Sequence, residues 1–338
     1  MIPRTVTASA LVLLTCLSAV ADDGWREKVD PWVLSTAEAG TTEFLVFLAE
    51  QADLGAAESL ATKEAKGRYV FETLTATAER TQGPVLGALE TLGVEHRPYW
   101  IANRVWVRGG LDAVEAMARR GDVARVHANP AVRLDEPVST SERDDATETV
   151  EWNISKVNAD DVWALGHTGT GVVVAGQDTG YRWDHPALVN QYRGSAGNHD
   201  YSWWDAIHAG GGSCGADAPA PCDDHGHGTH TMGTIVGDDG GSNQVGMAPT
   251  AEWIGCRNMN VGVGTPTTYS ECYQFFVAPT DLAGNNPDPA MAPDVINNSW
   301  GCPPSEGCTD PNVLWTVVEN VRAAGIVTVH SAGNSGSS

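Results

Sequence analysis

Three histidines and two carboxylates lie within residues 223–230, at the start of the stretch DDHGHGTHTMGTIVG. These residue types suit three kinds of site: a metal centre, a catalytic base, or a polar loop without chemistry. His227 and His230 would share a face if a helix begins near Gly228, but zinc bound by such a pair also needs a further ligand with supporting hydrogen bonds. Glycines between the candidate ligands would make that cage flexible. The stretch therefore favours a catalytic base over a metal centre.

A catalytic histidine needs a partner that orients its ring, and Asp178 suits that role. It ends the apolar run TGVVVAGQD and precedes Thr179-Gly180, a turn that would leave its carboxylate at the edge of a sheet. Such a carboxylate fixes the histidine tautomer and stabilises the imidazolium that forms on proton uptake. We therefore predict a pair of Asp178 with His227. His225 is expected to be solvated and His230 to be a hydrogen-bonded structural residue.

We predict that the elements that position this pair form a parallel sheet. Short apolar runs recur after Trp152, which is typical of strands buried on both faces. Residues 311–324, between the last two of these runs, are predicted to form a helix. Ligands bind outside the carboxyl ends of such strands, and Asp178, Ser299 and Asn334 all fall at those ends. The four runs are TGVVVAGQD, AEWIGCRN, PDVINNSWG and AGIVTVHSAGN.

Residues 41–135 show a different order of elements. An apolar run and a long helical stretch, interrupted at Gly83-Pro84, precede two extended runs joined near Asn103; a helix and a final extended run follow. The order βα, ββ, αβ predicts a ferredoxin-like α+β arrangement. The runs are FLVFLAE, HRPYW, RVWVRG, LDAVEAMARR and VARVHAN.

Several motifs resemble those of the subtilisin-like serine peptidases. GQDTGYRWDHPAL is similar to the family's aspartate motif, HGTHTMGT to its histidine motif and SAGNSG to the segment with its oxyanion-hole asparagine, in the family's order. NISKVNADDVW, WIGCRNM and DVINNSWGCPPSEGC resemble the bacillopeptidase F branch. The resemblance implies an α/β fold with a doubly wound, mostly parallel sheet, preceded by a ferredoxin-like inhibitor prosegment.

The resemblance also implies a role for each matching residue. Asp178 would be the orienting carboxylate, His227 the general base and then acid, and Asn334 the donor to the oxyanion of the tetrahedral intermediate. A further segment would pair its backbone with an extended peptide substrate; Trp300 within it is equally consistent with a packed aromatic. That segment comprises Ser299, Trp300 and Gly301.

The family's Gly-Thr-Ser-Met-Ala motif, which carries the nucleophile, is not found among the 338 residues. Ser331, Ser335, Ser337 and Ser338 do not stand in such a motif. A histidine without a serine to deprotonate loses most of the triad's acceleration, so we predict that this polypeptide as written hydrolyses no peptide bonds. The ending four residues after Asn334 leads us to expect a C-terminally incomplete sequence. Two other classes stay open: a non-catalytic peptide-binding relative and a histidine-centred metallohydrolase.

No cofactor is expected for the chemistry, and no metal residue is assigned. Ala187 stands where the family commonly has a calcium-ligating aspartate, which puts calcium at that position in doubt. The inserted stretch SWWDAIHAGGGSCGADAPAPCDD could bind another ion or form a disulfide-closed rim loop. Its glycines and prolines favour the rim loop, because a converged ligand set would need carboxylates at fixed spacing.

The N-terminal residues MIPRTVTASALVLLTCLSAVADD are typical of a secretory signal peptide cleaved after Ala21, with an ordinary apolar helix as the alternative. Export permits disulfides among the six remaining cysteines, and we predict two loop-closing bridges. The net charge of −23 argues against a nucleic-acid partner. The predicted bridges are Cys214 with Cys222 and Cys302 with Cys308.

The predicted organisation has four parts: a signal peptide (1–21), a prosegment (22–136), a linker with a processing site (137–151) and a peptidase domain without the serine motif (152–338). By resemblance, the prosegment assists folding and its tail occupies the active-site cleft until it is cut; a permanent accessory domain is the alternative. We expect a secreted monomer, without membrane or nucleic-acid partners, that binds peptides as extended strands.

Overall fold

The computed structural model describes residues 23–134, 150–241 and 244–334. The predicted signal peptide and all but the last two residues of the predicted linker lie outside these ranges. We refer to residues 23–134 as the N-terminal unit and to the described residues from 150 onward as the C-terminal unit. In neither unit is there a helix whose length and apolar character would let it cross a bilayer.

The N-terminal unit has the predicted ferredoxin-like topology. Its antiparallel four-stranded sheet has the order β2-β3-β1-β4 once the strands are numbered along the chain. Proline at the start of α3 explains the break after α2, because proline suits the first helical turn and not a helix interior. The strands are β1 (Thr42–Leu48), β2 (Glu95–Tyr99), β3 (Arg104–Gly109) and β4 (Val123–Ala128); the helices are α1 (Pro31–Ala39), α2 (Lys63–Thr81), α3 (Gly83–Leu92) and α4 (Leu111–Ala118).

The C-terminal unit is built on a five-stranded sheet whose paired strands are all parallel, as predicted. The strand order is β12-β11-β6-β8-β7, and a separate three-stranded sheet joins β5, β10 and β9. Of these strands, β5 (Val132–Arg133) belongs to the N-terminal unit. The strands of the C-terminal unit are β6 (Val173–Asp178), β7 (Trp203–Asp205), β8 (Glu252–Arg257), β9 (Met259–Asn260), β10 (Val263–Gly264), β11 (Val295–Asn298) and β12 (Val327–His330); the helices are α5 (Trp152–Lys156), α6 (Ala159–Ala164), α7 (His227–Val236), α8 (Pro266–Val277) and α9 (Trp315–Ala323).

Both faces of the parallel sheet are covered, which explains its continuous apolar runs. Val174 and Trp253 pack with Met232 of α7 on one face. Their sequence neighbours Ala175 and Ile254 join the core formed with α8 and α9 on the other. Because side chains alternate along a strand, only strands that are apolar at successive positions can serve both cores.

Two features of the C-terminal unit differ from the sequence-based picture. The interval between Asp178 and His227 contributes a short strand, β7, where only a loop was expected. The predicted helix over residues 311–324 is divided into a 3-10 turn, Pro311–Val313, and α9. The structure contains both predicted disulfides, and the remaining cysteines, Cys256 and Cys272, join β8 to α8.

The two units share an interface centred on α8 and α9. The side-chain oxygen of Gln274 accepts hydrogen bonds from the backbone N–H groups of Trp100 (2.9 Å) and Ile101 (3.3 Å). Asn320 Nδ2 donates to the Ile101 carbonyl at 2.6 Å. Apolar side chains of α2 also join the core of the C-terminal unit. The turn between β2 and β3 is therefore fixed to the C-terminal unit by both polar and apolar contacts.

Candidate active site

Asp178 and His227 meet at the carboxyl edge of the parallel sheet. Asp178 is the last residue of β6 and His227 is the first residue of α7. His227 Nδ1 lies 2.7 Å from Asp178 Oδ1, and the side chains are 20% and 1% exposed, respectively. The aspartate is thus withdrawn from solvent while the imidazole keeps access to it. This is the arrangement needed to hold one histidine tautomer and stabilise its protonated form.

The Asp178 carboxylate is fixed by further hydrogen bonds. Thr179 N donates to Oδ1 at 2.7 Å and Thr231 Oγ1 donates to Oδ2 at 3.3 Å. Close approach of α7 to this turn requires a glycine at 228, since a Cβ atom there would lie 2.1 Å from the Gly180 carbonyl oxygen. The glycine after His227 is therefore a packing requirement of the site.

Asp223 organises the start of α7, a role that was not assigned from the sequence. Its Oδ2 accepts from the backbone N–H (3.0 Å) and hydroxyl (2.5 Å) of Thr229, and its Oδ1 accepts from Gly226 N (2.8 Å) and Thr179 Oγ1 (2.9 Å). Burial alone would raise the pKa of Asp223, but these hydrogen bonds outweigh it and hold the pKa below its usual value. The N-cap position of α7 is Gly226, three residues after Asp223, so the preference for aspartate at the N-cap would not have identified Asp223.

Replacing Asp223 with alanine is expected to destabilise the chain by about 2 kcal/mol or more, because several N–H and O–H donors at the start of α7 lose their acceptor together. Urea unfolding of D223A at neutral pH measures this loss. Asp239→Ala is the control, because Asp239 accepts within an exposed turn, from Gly241 N at 2.8 Å. Equal unfolding midpoints for the two variants would contradict the role given to Asp223.

A chain of buried amides links the strand ends beneath the site. Asn258 Nδ2 donates to Gln177 Oε1 at 3.0 Å, and Gln177 Nε2 donates to Asn298 Oδ1 at 2.7 Å. Asn298 Nδ2 continues to the Val329 carbonyl at 2.9 Å. All three amide side chains belong to fully buried residues. The chain of amides runs from the residue after β8 through β6 and β11 to β12, and so fixes the relative positions of the strand ends that carry the site. Its signal in the sequence is the polar residues that interrupt apolar runs.

The other residues assigned by resemblance lie along the same edge. Ser299 follows β11, and its Oγ accepts from Asn297 Nδ2 at 2.9 Å. Trp300 is a packed aromatic that stacks on Tyr269 with ring centroids 3.8 Å apart, whereas Gly301 is exposed. Asn334 is exposed and follows β12. The structure brings Asp178 and His227 into contact and places Ser299 and Asn334 after neighbouring strands.

The other two histidines of the opening stretch are both exposed. Exposure is the expected state for His225; His230, expected to be a hydrogen-bonded structural residue, is exposed on α7. Within the three described ranges, no group of three or more histidine, cysteine, aspartate or glutamate side chains is arranged to hold a metal ion. Ala187 is half-buried, and its carbonyl accepts from Asp238 N at 2.9 Å.

Comparison with known proteins places this site in a family context. A family model described as "Subtilase family" matches residues 169–338, about half of the chain. Bacillopeptidase F of Bacillus subtilis (strain 168) is 34% identical over 324 residues, which cover 87% of this chain and 22% of that protein. Subtilisin DY of Bacillus licheniformis is 32% identical over 192 residues, covering 56% of this chain and 57% of that protein.

Solved structures share the fold at low sequence identity. The epidermin leader peptide processing serine protease of Staphylococcus aureus, as its S393A mutant, matches with a TM-score of 0.56 and 14% identity, over 88% of this chain and 62% of that one. Fervidolysin from Fervidobacterium pennivorans matches with a TM-score of 0.52 and 14% identity, over 87% of this chain and 40% of that one.

The chain spans only 22% of bacillopeptidase F and 57% of subtilisin DY, so it corresponds to part of each relative's length. The family model nevertheless covers the segments that carry Asp178, His227 and Asn334. The two solved structures show the same overall fold. The chain therefore belongs to the subtilase family of subtilisin-like serine peptidases and resembles bacillopeptidase F.

Proposed function

We propose that this chain carries the aspartate and histidine of a serine endopeptidase site within a secreted precursor. The observation that supports this most directly is the 2.7 Å contact between His227 Nδ1 and the buried Asp178 carboxylate. In this proposal His227 takes the proton of a serine hydroxyl, Asp178 stabilises the resulting imidazolium, and Asn334 donates to the oxyanion. His227 then returns the proton to the leaving amine.

The serine of this mechanism must come from outside the 338 residues, because none of their serines stands in the family's nucleophile motif. We therefore propose that the 338-residue polypeptide alone hydrolyses no peptide bonds. The same observation favours a second candidate, a non-catalytic peptide-binding member of the family. The gene sequence beyond codon 338 separates the two, because only the peptidase needs a Gly-Thr-Ser-Met-Ala segment there.

A serine-reactive phosphonate tests the proposed enzyme. We expect the 338-residue chain to stay unlabelled and the complete gene product to be labelled at one serine, because the phosphonate reacts only with a hydroxyl activated by its histidine. Mass spectrometry reads the label, and the His227→Ala form of the complete product should not be labelled. Labelling of the 338-residue chain, or equal labelling of the two full-length forms, would overturn the proposal.

The N-terminal unit is proposed to be an inhibitory prosegment. Its last strand, β5, adds to the C-terminal unit by pairing Val132 with Gly264 and Arg133 with Val263, in antiparallel register. Leu134 N continues the pairing with a hydrogen bond to the Gly262 carbonyl at 2.8 Å. An added strand of this kind is how an extended peptide binds a sheet edge. The pairing supports the view that the tail binds as an added extended strand, here on β10 and not on the segment Ser299 to Gly301, with processing proposed in residues 137–151.

Acid is expected to loosen this interface through His127 of β4. Its Nδ1 lies 3.3 Å from Oδ2 of Asp310 in the C-terminal unit. Burial lowers the pKa of His127 to about 4, against the attraction of Asp310 and with the help of Arg104 and Arg125. This pKa lies below the ~6.5 of a histidine in the unfolded chain. The folded state therefore keeps its full stability above pH 6.5, where His127 is neutral, and loses stability as the pH falls toward 4. The loss amounts to about 3 kcal/mol at most.

The His127→Gln variant should therefore keep more of its stability between pH 7.5 and pH 4.5 than the wild type does. Urea unfolding at the two pH values measures the difference. The exposed His167 provides the control, because H167Q should retain the wild-type pH dependence. An H127Q variant with the same pH dependence as the wild type would show that His127 is not the responsible group.

A further inference from the structure

Arg257 is a fully buried cation beside the Asp178–His227 pair. It ends β8, and in the parallel register between β6 and β8 its partner is Asp178. Its side chain is 0% exposed. Nε and Nη2 donate to the two carboxylate oxygens of Asp205, at 2.9 Å and 2.8 Å. This bidentate pair fixes the plane of the guanidinium group.

The remaining donors of Arg257 reach two other segments. Nη1 lies 3.4 Å from the Gly211 carbonyl oxygen and 3.5 Å from Asp224 Oδ2, and Nη2 also donates to the Gly215 carbonyl. One guanidinium group thus joins the end of β7, the loop closed by the Cys214–Cys222 disulfide, and the segment that leads into α7. A lysine could not make these contacts, because it lacks the planar fork of donors.

The Asp224 contact connects this cluster to His227. Asp224 is three residues before His227 and next to Asp223, whose carboxylate accepts from Thr229 N in the first turn of α7. Its side chain is 0% exposed, and its second oxygen accepts from Val261 N at 3.0 Å. The aliphatic part of the Arg257 side chain also lies close to the turn that follows Asp178 (Thr179-Gly180), since a Cβ atom added at Gly180 would be 3.2 Å from Arg257 Cδ. Arg257 therefore contacts both segments that hold the pair.

Charge makes this arrangement depend on Arg257. Burial raises the pKa of Asp205 and of Asp224, although hydrogen bonds and the charge of Arg257 oppose the shift. Without the guanidinium group, the buried carboxyl groups of Asp205 and Asp224 would lose their counter-charge. The segment with Asp224 would then have to move toward solvent, or the Asp224 carboxyl group would have to become protonated. Either change acts on the residues immediately before His227.

We propose that Arg257 is a positioning residue for His227: through Asp224 and the Asp178 turn, it holds the imidazole in hydrogen-bonding contact with Asp178. This inference rests on the proposed function of the pair. It differs from a role confined to stabilising the inserted loop, because it assigns to Arg257 an effect on the His227 ring.

The test uses nitrogen-15 NMR of the 338-residue chain labelled at histidine. The ring proton on His227 Nδ1, assigned by its absence in H227Q, should exchange slowly with solvent in the wild type. In R257M the exchange should be at least about tenfold faster, because the contact opens more often. R257K should fall between the two. D224N leaves the pair of Arg257 with Asp205 intact and removes only the negative charge of Asp224. It should therefore accelerate exchange of the His227 ring proton to a similar extent, even if R257M fails to fold.

Arg193→Met is the matched control. Arg193 is also largely buried and donates to the carbonyls of Met291 and Tyr201, at 3.1 Å each. It lies near Glu252, at the opposite end of β8 from Arg257. R193M should lower the free energy of unfolding without changing exchange of the His227 ring proton.

The outcomes separate this inference from the proposed function. A slowly exchanging proton in the wild type that is unchanged in D224N and in folded R257M would overturn the positioning role and leave the Asp178–His227 pair standing. Acceleration by R193M equal to that by R257M would also overturn it, because the effect would then follow global stability. Absence of the protected proton from the wild type itself would count against the pair, and with it against the proposed function.

Discussion

Replacing Asp178 with asparagine is expected to lower kcat of the complete peptidase roughly 10⁴-fold, the scale found for this substitution in serine peptidases. Asparagine has the same shape but no charge, so the imidazolium formed on His227 loses its counter-ion. An amide N–H turned toward Nδ1 would also stabilise the wrong tautomer. The buried position of Asp178 makes water a poor substitute for the lost carboxylate.

Steady-state hydrolysis of a peptide substrate by the complete gene product measures this effect, with KM expected to change little because Asp178 is proposed to act on the histidine and not on the substrate. Asp184→Asn is the control: Asp184 follows the same strand but is 65% exposed beside Arg182. A D178N enzyme within tenfold of the wild-type kcat would show that the pair is not the catalytic dyad.

Replacing Glu271 with alanine should weaken binding of the N-terminal unit to the C-terminal unit by roughly 2 to 5 kcal/mol, which corresponds to about 30-fold or more in Kd. Glu271 lies on α8, and its side chain is 7% exposed. From the N-terminal unit it accepts from Tyr99 (2.7 Å) and Arg97 (3.3 Å). From its own unit it binds Trp204 (2.9 Å) and His208 (2.7 Å).

Glu271 is charged in this environment despite its burial. Burial would raise the pKa of Glu271, but His208, Tyr99 and Trp204 together hold it below the usual value. Removing the carboxylate therefore leaves donors from both units without an acceptor, which costs more than the hydrogen bonds themselves contribute. Glu271→Gln should have a smaller effect, because it keeps an acceptor of the same shape.

The measurement uses the chain cut by an added protease within residues 135–149, followed by dissociation of the two fragments on dilution. Glu319→Ala is the control, since Glu319 lies on the neighbouring helix α9 and pairs with Arg322 across an exposed surface, at 3.0 Å. If E271A and E319A dissociated at the same concentration, Glu271 would not be an anchor of the interface.

The ferredoxin-like and parallel-sheet topologies could be predicted because their signals are local. The apolar run of β1, the proline at the start of α3 and the continuous apolar runs of β6 and β8 each reflect the burial or the start of one strand or helix. The short strand β7 gave no such signal, because the polar and glycine-rich residues that follow Asp205 resemble a loop. Its place in the sheet depends on pairing with β8, a contact distant along the chain.

The sequence by itself determined the family, the order of the elements and the two residues of the proposed dyad, because these depend on residue type and on spacing within short segments. Only the tertiary structure identified Asp223, Arg257 and Glu271 as the groups that hold the dyad and the two units. Acidic and basic residues are normally solvated, and nothing local marks these three as structural. The roles of Arg257 and Glu271 arise from hydrogen-bond partners tens to hundreds of residues away, and Asp223 joins nearby donors of α7 to Thr179, 44 residues away; only the folded chain brings these groups within about 3 Å.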